Sequence, residues 1–193
     1  MKSNIKKKSV IRDWIESIII ALILALFIRT FIVQAFKIPT GSMRMTLLEG
    51  DRILVNKFIY GAKIPFTNFR LPALRDIKRG DVIVFISPED TRKDFIKRVV
   101  GLPGEKVQIK DLRVYINGRP LEEGGFAHRN YYNRGEFGEE GKVIEVPKDA
   151  YYVLGDNSFS SRDSRYWGFV PKKYVLGKAF LIYWPLTRLR IIQ

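Results

Sequence analysis

A serine in a tight turn and a lysine in an apolar strand are the residues of this chain whose types could do chemistry together. Ser42 ends the run PTGS, and Lys97 lies in the run DFIKRVVG. A serine becomes a nucleophile only when another group removes its proton. Histidine is the usual base, but the only histidine, His128, lies in a polar, glycine-rich stretch, and the chain has no cysteine. The available bases therefore point to lysine.

Each of these two residues also has a purely structural interpretation. A serine in a turn is most often only a turn residue. Strand alternation places Lys97 on the apolar face of Phe95 and Val99, where burial would lower its pKa and make it a base near physiological pH. An arginine could not do this, because it stays charged. Lys97 could instead reach water from a strand end, as the neighbouring Arg98 is expected to do, and the pattern alone favours that interpretation.

A third polar run covers residues 155–171, GDNSFSSRDSRYWGFVP. Such a run is ordinarily a loop held by local hydrogen bonds from Asx and serine side chains. Asp163 and Arg165 could also pair to fix the loop, and one of its serines could hydrogen-bond the amine of Lys97. A neutral lysine that acts as a base needs such a partner to orient it.

The amino-terminal part predicts a membrane anchor. The run from Trp14 to Val33 has 20 residues, and Ile18 to Ile28 is apolar without interruption. About 20 residues cross a hydrocarbon core as a helix. Lysines precede the run, which predicts that the amino terminus stays in the cytoplasm. We therefore expect a basic cytoplasmic segment over 1–13, a single transmembrane helix over 14–33 and an extracytoplasmic domain over 34–193.

Three other interpretations of the apolar run compete with an anchor. A cleaved signal peptide usually has a shorter apolar core and a small-residue cleavage site, whereas VQAFKIPTGSM runs directly into the proposed chemistry. An interfacial amphipathic helix needs a polar face, which residues 18–28 lack. A buried helix of a soluble protein would not need the basic prefix. The pattern favours the anchor.

The rest of the chain predicts a mostly β protein. Short apolar runs such as DRILVNKFIY, GDVIVFI, YYVLG and KAFLIYW are separated by turn residues, and no long amphipathic helix interrupts them. We expect an all-β domain of folded or partly closed antiparallel sheets. Residues 122–146 are expected to be a variable insertion, whose polar, glycine-rich part at 122–141 should be a mobile surface segment.

Composition limits the function classes. The absence of cysteine excludes disulfides and thiolate-bound zinc, and one histidine excludes a histidine metal cluster, so we expect no metal and no cofactor. The net charge of +14 includes +5 over residues 1–37, −3 over 122–146 and +5 over 147–193. No nucleic-acid-binding signature accompanies it. Attraction to anionic lipid explains the basic charge at least as well, so we expect a bilayer and not a nucleic acid as partner.

The order of PTGSM, GDVIVF, DFIKRVVGLPGE and GDNSFSSRDSRYWGFVP resembles that of bacterial type I signal peptidases (leader peptidases). The resemblance runs from the anchor through Phe169, except for the insertion at 122–146. Its last motif is long and specific, whereas PTGSM alone is not. Met45 departs from the pattern, because the family usually has proline there, and this change could loosen the turn after Ser42.

The resemblance implies a membrane-bound serine endopeptidase that removes signal peptides from exported preproteins at the bacterial plasma membrane. Ser42 would be the nucleophile and Lys97 the general base, with the oxyanion held by the Ser42 backbone N–H and the Thr40 hydroxyl. Ser161 would orient the lysine, and Asp163 and Arg165 would support its loop. The signal peptide would bind as an extended strand and be cut after small residues of the Ala-X-Ala type. Its pockets would involve Phe36, Ile38, Met43, Leu47, Val84, Asp94, Phe95 and Ile96.

Rival functions stay open at this stage. A self-cleaving serine–lysine regulator would share the chemistry but usually carries a DNA-binding module in place of an anchor. A catalytically idle, membrane-tethered binding protein of the same fold would not need both Ser42 and Lys97. The sequence does not address the oligomeric state.

Overall fold

A long apolar helix begins the described part of the chain. The computed structural model describes residues 10–65, 67, 69–123 and 125–193, so Lys2, Lys6, Lys7 and Lys8 of the predicted cytoplasmic segment lie outside the described residues. Helix α1 (Val10–Phe27) continues as a π-helical turn over Ile28–Ile32. Together they form a 23-residue apolar helix with no buried part, long enough to cross a membrane. The helix therefore begins before Trp14, and Val33 is already the first residue of a strand.

Antiparallel strands form most of the remaining chain, which confirms the mostly β class. Twelve strands occur among the described residues: β1 (Val33–Lys37), β2 (Arg52–Asn56), β3 (Val82–Ile86), β4 (Asp94–Gly101), β5 (Lys106–Lys110), β6 (Arg113–Ile116), β7 (Arg119–Pro120), β8 (Val143–Glu145), β9 (Ala150–Leu154), β10 (Val170–Pro171), β11 (Val175–Trp184) and β12 (Arg190–Ile191). A short α-helix, α2 (Ser164–Trp167), lies between β9 and β10, after a 3-10 turn over Ser158–Ser160.

These strands pair into two sheets. The larger sheet has the order β1-β2-β11-β3-β4-β9-β10, with β12 also paired to β11, and the smaller has the order β7-β6-β5-β8. The apolar runs explain the layout: β3 and β9 are buried along nearly their whole length, as strands covered on both faces must be. β4 then leads from the larger sheet into β5 of the smaller sheet. It is therefore the strand that links the two parts.

The packing around the larger sheet is apolar on both faces. One cluster includes Met43, Leu47 and Val84, and a second, on the opposite face, includes Ile83, Val99 and Val153. The alternation of residues 83 and 84 between the two clusters is the two-residue period of a strand. The turn that carries Ser42 thus rests on the first cluster.

The polar segment 122–141 is anchored to the core at two positions, and the expectation that it is mobile stays a prediction. Phe126 and Tyr131 are buried in a third apolar cluster with Val107 and Val114 of the smaller sheet. Val143–Glu145 forms β8 and pairs with β5. Gly124 lies outside the described residues. The overall polar composition of this segment gave no indication that Phe126 and Tyr131 pack into the core.

Candidate active site

Ser42 lies in a tight helical turn that its own backbone hydrogen bonds hold. The turn covers Gly41–Met43, and the N–H of Leu47 donates to the carbonyl of Met43 at 2.6 Å. Met45 follows the turn and is exposed. The turn keeps its backbone hydrogen bonds although residue 45 is not the proline that the family resemblance led us to expect. Met43 is fully buried beneath it. The apolar anchor below therefore fixes the height of Ser42 at the surface of the sheet.

Strand β4 brings Lys97 to Ser42. Its Nζ lies 2.8 Å from Oγ of Ser42 and 2.9 Å from the carbonyl oxygen of Ile96, and the side chain is only 4% exposed. The two residues are separated by 55 positions in sequence. Because Lys97 is buried and its amine lies within hydrogen-bonding distance of the Ser42 hydroxyl, the structure excludes the alternative of a lysine that extends from the strand end into water.

Burial lowers the pKa of the Lys97 amine from 10.5 to about 8. The carboxylates of Asp163 and Asp156 act in the opposite direction, and the guanidinium of Arg165 adds to the lowering. Desolvation dominates because an ammonium without water around it loses most of its hydration energy. A substantial fraction of the amine is therefore neutral at slightly alkaline pH, within hydrogen-bonding distance of the serine hydroxyl.

The loop after β9 supports both residues from one side. The N–H of Asn157 donates to the Ser42 carbonyl at 3.0 Å, and its side-chain amide donates to the Gly41 carbonyl at 2.9 Å. Gly155 passes so close that a Cβ there would strike the side chain of Ser161 and the carbonyl of Ser42. Sequence analysis assigned no role to Asn157, although it lies in the GDNSF run that was singled out.

Asp163 and Arg165 form the fully buried ion pair that the sequence suggested. The guanidinium Nε lies 2.8 Å from Oδ1 of Asp163, and the other nitrogens donate to the carbonyls of Tyr132 and Ser158 and to the Ser158 hydroxyl. Asp163 also accepts from the N–H of Gly155. One pair thus fixes the loop at both ends, beside the turn of Ser42.

Ser161 is buried but does not contact Lys97 as expected. Its hydroxyl has no hydrogen-bond partner among the described residues. The amine of Lys97 instead takes the Ile96 carbonyl as its second partner. The expected hydrogen bond between Ser161 and the lysine is therefore absent from this state of the protein.

Arg98 is buried, contrary to the expectation of an exposed charge. Its guanidinium forms a two-pronged ion pair with Asp156, with both N–O distances at 2.8 Å. It also donates to the Gly80 carbonyl and to the Thr46 hydroxyl. Arg129 approaches the same carboxylate at 3.4 Å. Arg98 thus ties β4 to the loop after β9 and to the turn after Ser42, one residue beyond the lysine.

A cleft of about 440 Å³ opens at Ser42 and Lys97. Its other lining residues are Pro39, Thr40, Lys93, Asp94, Phe95, Ile96, Ser160 and Arg162. Beside it lies a small pocket of about 40 Å³, here called the side pocket, lined by Phe36, Lys37, Ile38, Pro39, Ile53, Val84, Asp94, Phe95 and Ile96. Six of the eight expected pocket residues line one or both of these depressions. The other two, Met43 and Leu47, are fully buried in the core and line neither.

One edge of β4 faces the cleft. Residues 94–98 pair with β3 on one side, while β9 joins the other side only from Arg98 onward. The stretch from Asp94 to Lys97 can therefore accept another extended strand. Thr40 is extended and exposed on the cleft, and its hydroxyl does not cap the turn that follows.

The arrangement can do serine-based acyl transfer without a metal ion. A hydroxyl, a neutral amine and a strand edge meet in one cleft. Among residues 10–193 that the structure describes, no group of three or more acidic or histidine side chains is placed to hold a metal ion.

Comparison with known proteins decides the family. The family model for "Signal peptidase, peptidase S26" matches residues 11–184.

The chain belongs to the signal peptidase S26 family.

Curated relatives agree with this membership. The chain is 39% identical to "Probable signal peptidase I-2" of Synechocystis sp., with 93% of this chain and 77% of the relative covered. It is 40% identical to "Signal peptidase I" of Leptolyngbya laminosa, with 97% and 86% covered. A crystal structure of a signal peptidase I from Enterococcus faecalis V583 is 37% identical and covers 54% of this chain and 97% of its own, with a TM-score of 0.46.

Membership in the signal peptidase family establishes the activity in general terms. The protein is a serine endopeptidase that removes signal peptides, and its substrates are preproteins. The apolar helix Val10–Ile32 fits a signal peptidase anchored to a membrane.

Proposed function

We propose that this signal peptidase cuts preproteins with Ser42 as nucleophile and Lys97 as general base. The observation that carries the proposal is the 2.8 Å distance between Oγ of Ser42 and the buried Nζ of Lys97. A pKa of about 8 leaves the amine neutral often enough to accept the serine proton near neutral pH. This is the serine–lysine variant of a catalytic triad.

The chemical steps follow from this geometry. Oγ of Ser42 attacks the scissile carbonyl carbon while its proton moves to Nζ of Lys97. The negative oxygen of the tetrahedral intermediate accepts hydrogen bonds from the Ser42 backbone N–H and the Thr40 hydroxyl. Lys97 then gives the proton to the leaving amine, and an ester to Ser42 forms. A water molecule then gives a proton to Nζ of Lys97 as its oxygen attacks the ester carbonyl carbon. Lys97 returns this proton to Oγ of Ser42 as the acyl C–O bond breaks, which releases the carboxylic acid and restores both Ser42 and the neutral amine.

The substrate is proposed to bind as an extended strand along the free edge of β4 between Asp94 and Lys97. Side chains of a strand alternate, so the residues at the first and third positions before the cut point to the same side. The side pocket of about 40 Å³ has room for a small side chain only. This supports cleavage after Ala-X-Ala sequences. Met43 and Leu47 act here as the floor beneath the turn of Ser42 and not as pocket walls.

The loop residues Asp163 and Arg165 are proposed to position the site, since their ion pair holds the loop that touches Ser42. Ser161 is proposed to orient the lysine once substrate is bound.

The proposed topology has residues 1–13 in the cytoplasm, the helix through the bacterial plasma membrane and the β domain outside. Basic residues before the span support this orientation. A cysteine placed in the β domain, for example Lys110→Cys, should react with a membrane-impermeant maleimide in intact cells. Labelling only after lysis would place the domain in the cytoplasm and overturn the topology.

The specificity is tested with purified, detergent-solubilised protein and a preprotein whose mature amino terminus is known. Mass spectrometry of the products should show a single cut after the expected alanine. Substitution of that alanine or of the third residue before the cut by leucine should abolish the cut, whereas leucine at the second residue should be tolerated. Equal cleavage of all three variants would contradict the proposed pockets.

A further inference from the structure

A pocket lined by cationic side chains, separate from the catalytic cleft, lies near the carboxyl end of the apolar helix. It has a volume of about 250 Å³ and is here called the basic pocket. Its lining residues are Lys57, Lys63, Pro65, Arg70, Val175 and Leu176. Three of these six residues are cationic and none is acidic. The signal peptidase reaction described above uses none of them.

A backbone hydrogen bond fixes the position of the basic pocket relative to the membrane. The N–H of Lys57 donates to the carbonyl of Ile32 at 2.9 Å, and Ile32 is the last residue of the apolar helix. A helix of 23 residues rises about 34 Å, enough to cross a hydrocarbon core of about 30 Å. The pocket therefore lies at the level of the lipid headgroups. Phe58, next in the chain, is 39% exposed, as is typical of an aromatic residue at a membrane interface.

The positive charges of the basic pocket are not balanced by carboxylates at ion-pair distance. Arg70 donates to the backbone carbonyls of Gly61, Lys173 and Val175 at 3.1, 2.9 and 2.6 Å. The amine of Lys57 contacts only the neutral amide of Gln34, at 3.3 Å. Within the described part of the chain, no ion pair involves Lys57, Lys63 or Arg70. Three cations, of which Arg70 and Lys57 are held by hydrogen bonds, thus line a hollow in which the described residues place no carboxylate at ion-pair distance.

The electrostatics around Lys57 agree with this description. Burial is the main cause that lowers the pKa of the Lys57 amine, and the nearby Arg29 adds to it. The carboxylate of Asp94 acts in the opposite direction on this pKa. An anionic group bound in the pocket would relieve the repulsion between these cations.

We propose that the basic pocket binds the phosphate-bearing headgroup of an anionic phospholipid. This inference rests on the helix crossing the bilayer, but it does not depend on the Ser42 and Lys97 chemistry. A lipid is favoured over a free phosphate because the pocket lies at the helix end, where headgroups are concentrated, and because the apolar side chains of Val175 and Leu176 line it beside the cations. A bound lipid would hold the base of the β domain against the membrane.

The test measures lipid retention by the full-length protein in neutral detergent, using native mass spectrometry. The probes are phosphatidylglycerol, phosphatidylcholine and inorganic phosphate, each titrated separately. The native protein should retain one phosphatidylglycerol per chain in preference to phosphatidylcholine, and inorganic phosphate should not displace it. The double variant Lys57→Gln/Lys63→Gln should bind phosphatidylglycerol roughly 30-fold more weakly, because each removed charge near the surface weakens binding about fivefold. Arg70 is left intact because it holds three backbone carbonyls.

A matched control removes the same charge elsewhere. Lys110→Gln/Lys148→Gln takes two exposed lysines from the distal part of the β domain and should bind phosphatidylglycerol like the native protein. Thermal unfolding must show that both double variants are folded. If Lys57→Gln/Lys63→Gln does not fold, the single variant Lys63→Gln, which changes an exposed side chain, is measured in its place. Equal retention of the two lipids, an equal loss in the control, or displacement by inorganic phosphate would each overturn the proposal. Since the readout is binding, it is independent of whether the protein cuts a preprotein.

Discussion

Lys97 is the residue whose environment has the clearest consequence for activity. Its pKa of about 8 lies well below that of a free lysine, because the amine is buried beside Ser42. The base is active only when neutral, so kcat/KM should rise tenfold per pH unit up to about pH 8 and then level off. The measurement is kcat/KM for one preprotein between pH 5 and 9, with the circular dichroism spectrum checked at each pH.

The pH at which the rate levels off separates Lys97 from other bases. A carboxylate base would leave the rate flat above about pH 5, and an unperturbed lysine would still be gaining activity above pH 10. A profile that is flat between pH 6 and 8 would therefore contradict Lys97 as the base.

Ser161 offers a prediction in which stability and activity move in different directions. Its buried hydroxyl has no hydrogen-bond partner among the described residues, which costs stability in the free protein. If this hydroxyl orients the lysine once substrate is bound, Ser161→Ala should lower kcat by about 10- to 100-fold, the worth of one hydrogen bond to a charged group. The unfolding temperature should stay the same or rise. A variant with native kcat would exclude the orienting role.

At the scale of single residues, the sequence predicted that Ser42 and Lys97 meet, but it did not predict all the residues that hold them in place. Motif resemblance and residue chemistry brought Ser42 and Lys97 together, because few other bases exist in the chain. The hydrogen bonds of Asn157 and the ion pair of Arg98 could not be predicted. They depend on how the loop after β9 folds back onto the turn of Ser42, and no local pattern encodes that contact.

Strand β4 is the element that joins the base, the substrate edge and the buried ion pair of Arg98 with Asp156. Arg98→Met leaves the carboxylate of Asp156 buried without its two-pronged partner, although Arg129 stays nearby. Breaking a buried pair on one side typically costs about 3–5 kcal/mol of the free energy of unfolding. Urea denaturation followed by tryptophan fluorescence should show a loss of this order.

The control for this prediction is an exposed pair at the same cleft. Arg162 lies 2.8 Å from Glu89, and its side chain is 62% exposed. Arg162→Gln should therefore change the free energy of unfolding by less than about 1 kcal/mol. A similar loss in both variants would show that burial does not decide the contribution of the Arg98 pair.

At the scale of elements, alternation and turn residues predicted the class and most of the strands. The apolar helix was predicted to begin at Trp14, but it begins at Val10. Arg12 and Asp13 separate Val10 and Ile11 from the apolar run, so the run alone does not show the first turn of the helix. The two buried positions of the segment 122–141 could not be predicted from composition, because composition averages over residues, whereas the burial of Phe126 and Tyr131 depends on which positions reach the core.

The whole molecule divides into an exposed apolar helix and a β domain that begins where the helix ends. The first strand starts at Val33 and pairs with β2 over its whole length, so the domain keeps all of its strands without the helix. A truncated chain that begins at Val33 should fold and cut a soluble preprotein in detergent solution. It should no longer sediment with vesicles made of neutral lipid. The native circular dichroism spectrum and unfolding temperature would confirm folding, and a truncated chain that aggregates would show that the helix is part of the fold.

The net charge of +14 is understood at this scale as a property of a protein beside a membrane. Its distribution could be predicted from the sequence, but the convergence of Lys57, Lys63 and Arg70 on one pocket could not. Lys63 and Arg70 are paired by an isolated backbone bridge, and Arg70 is held to the start of β11 by hydrogen bonds to the carbonyls of Lys173 and Val175, long-range contacts that the sequence does not display.

The central claim is that the buried amine of Lys97 activates Ser42. It is tested most directly by cleavage of a preprotein by purified Lys97→Met, a variant that keeps the length and apolar stem of the side chain but has no amine. The native protein should release the mature protein, whereas Lys97→Met, with a native unfolding temperature, should release none above the level of Ser42→Ala. Cleavage by Lys97→Met at the native rate and at the same site would contradict the account.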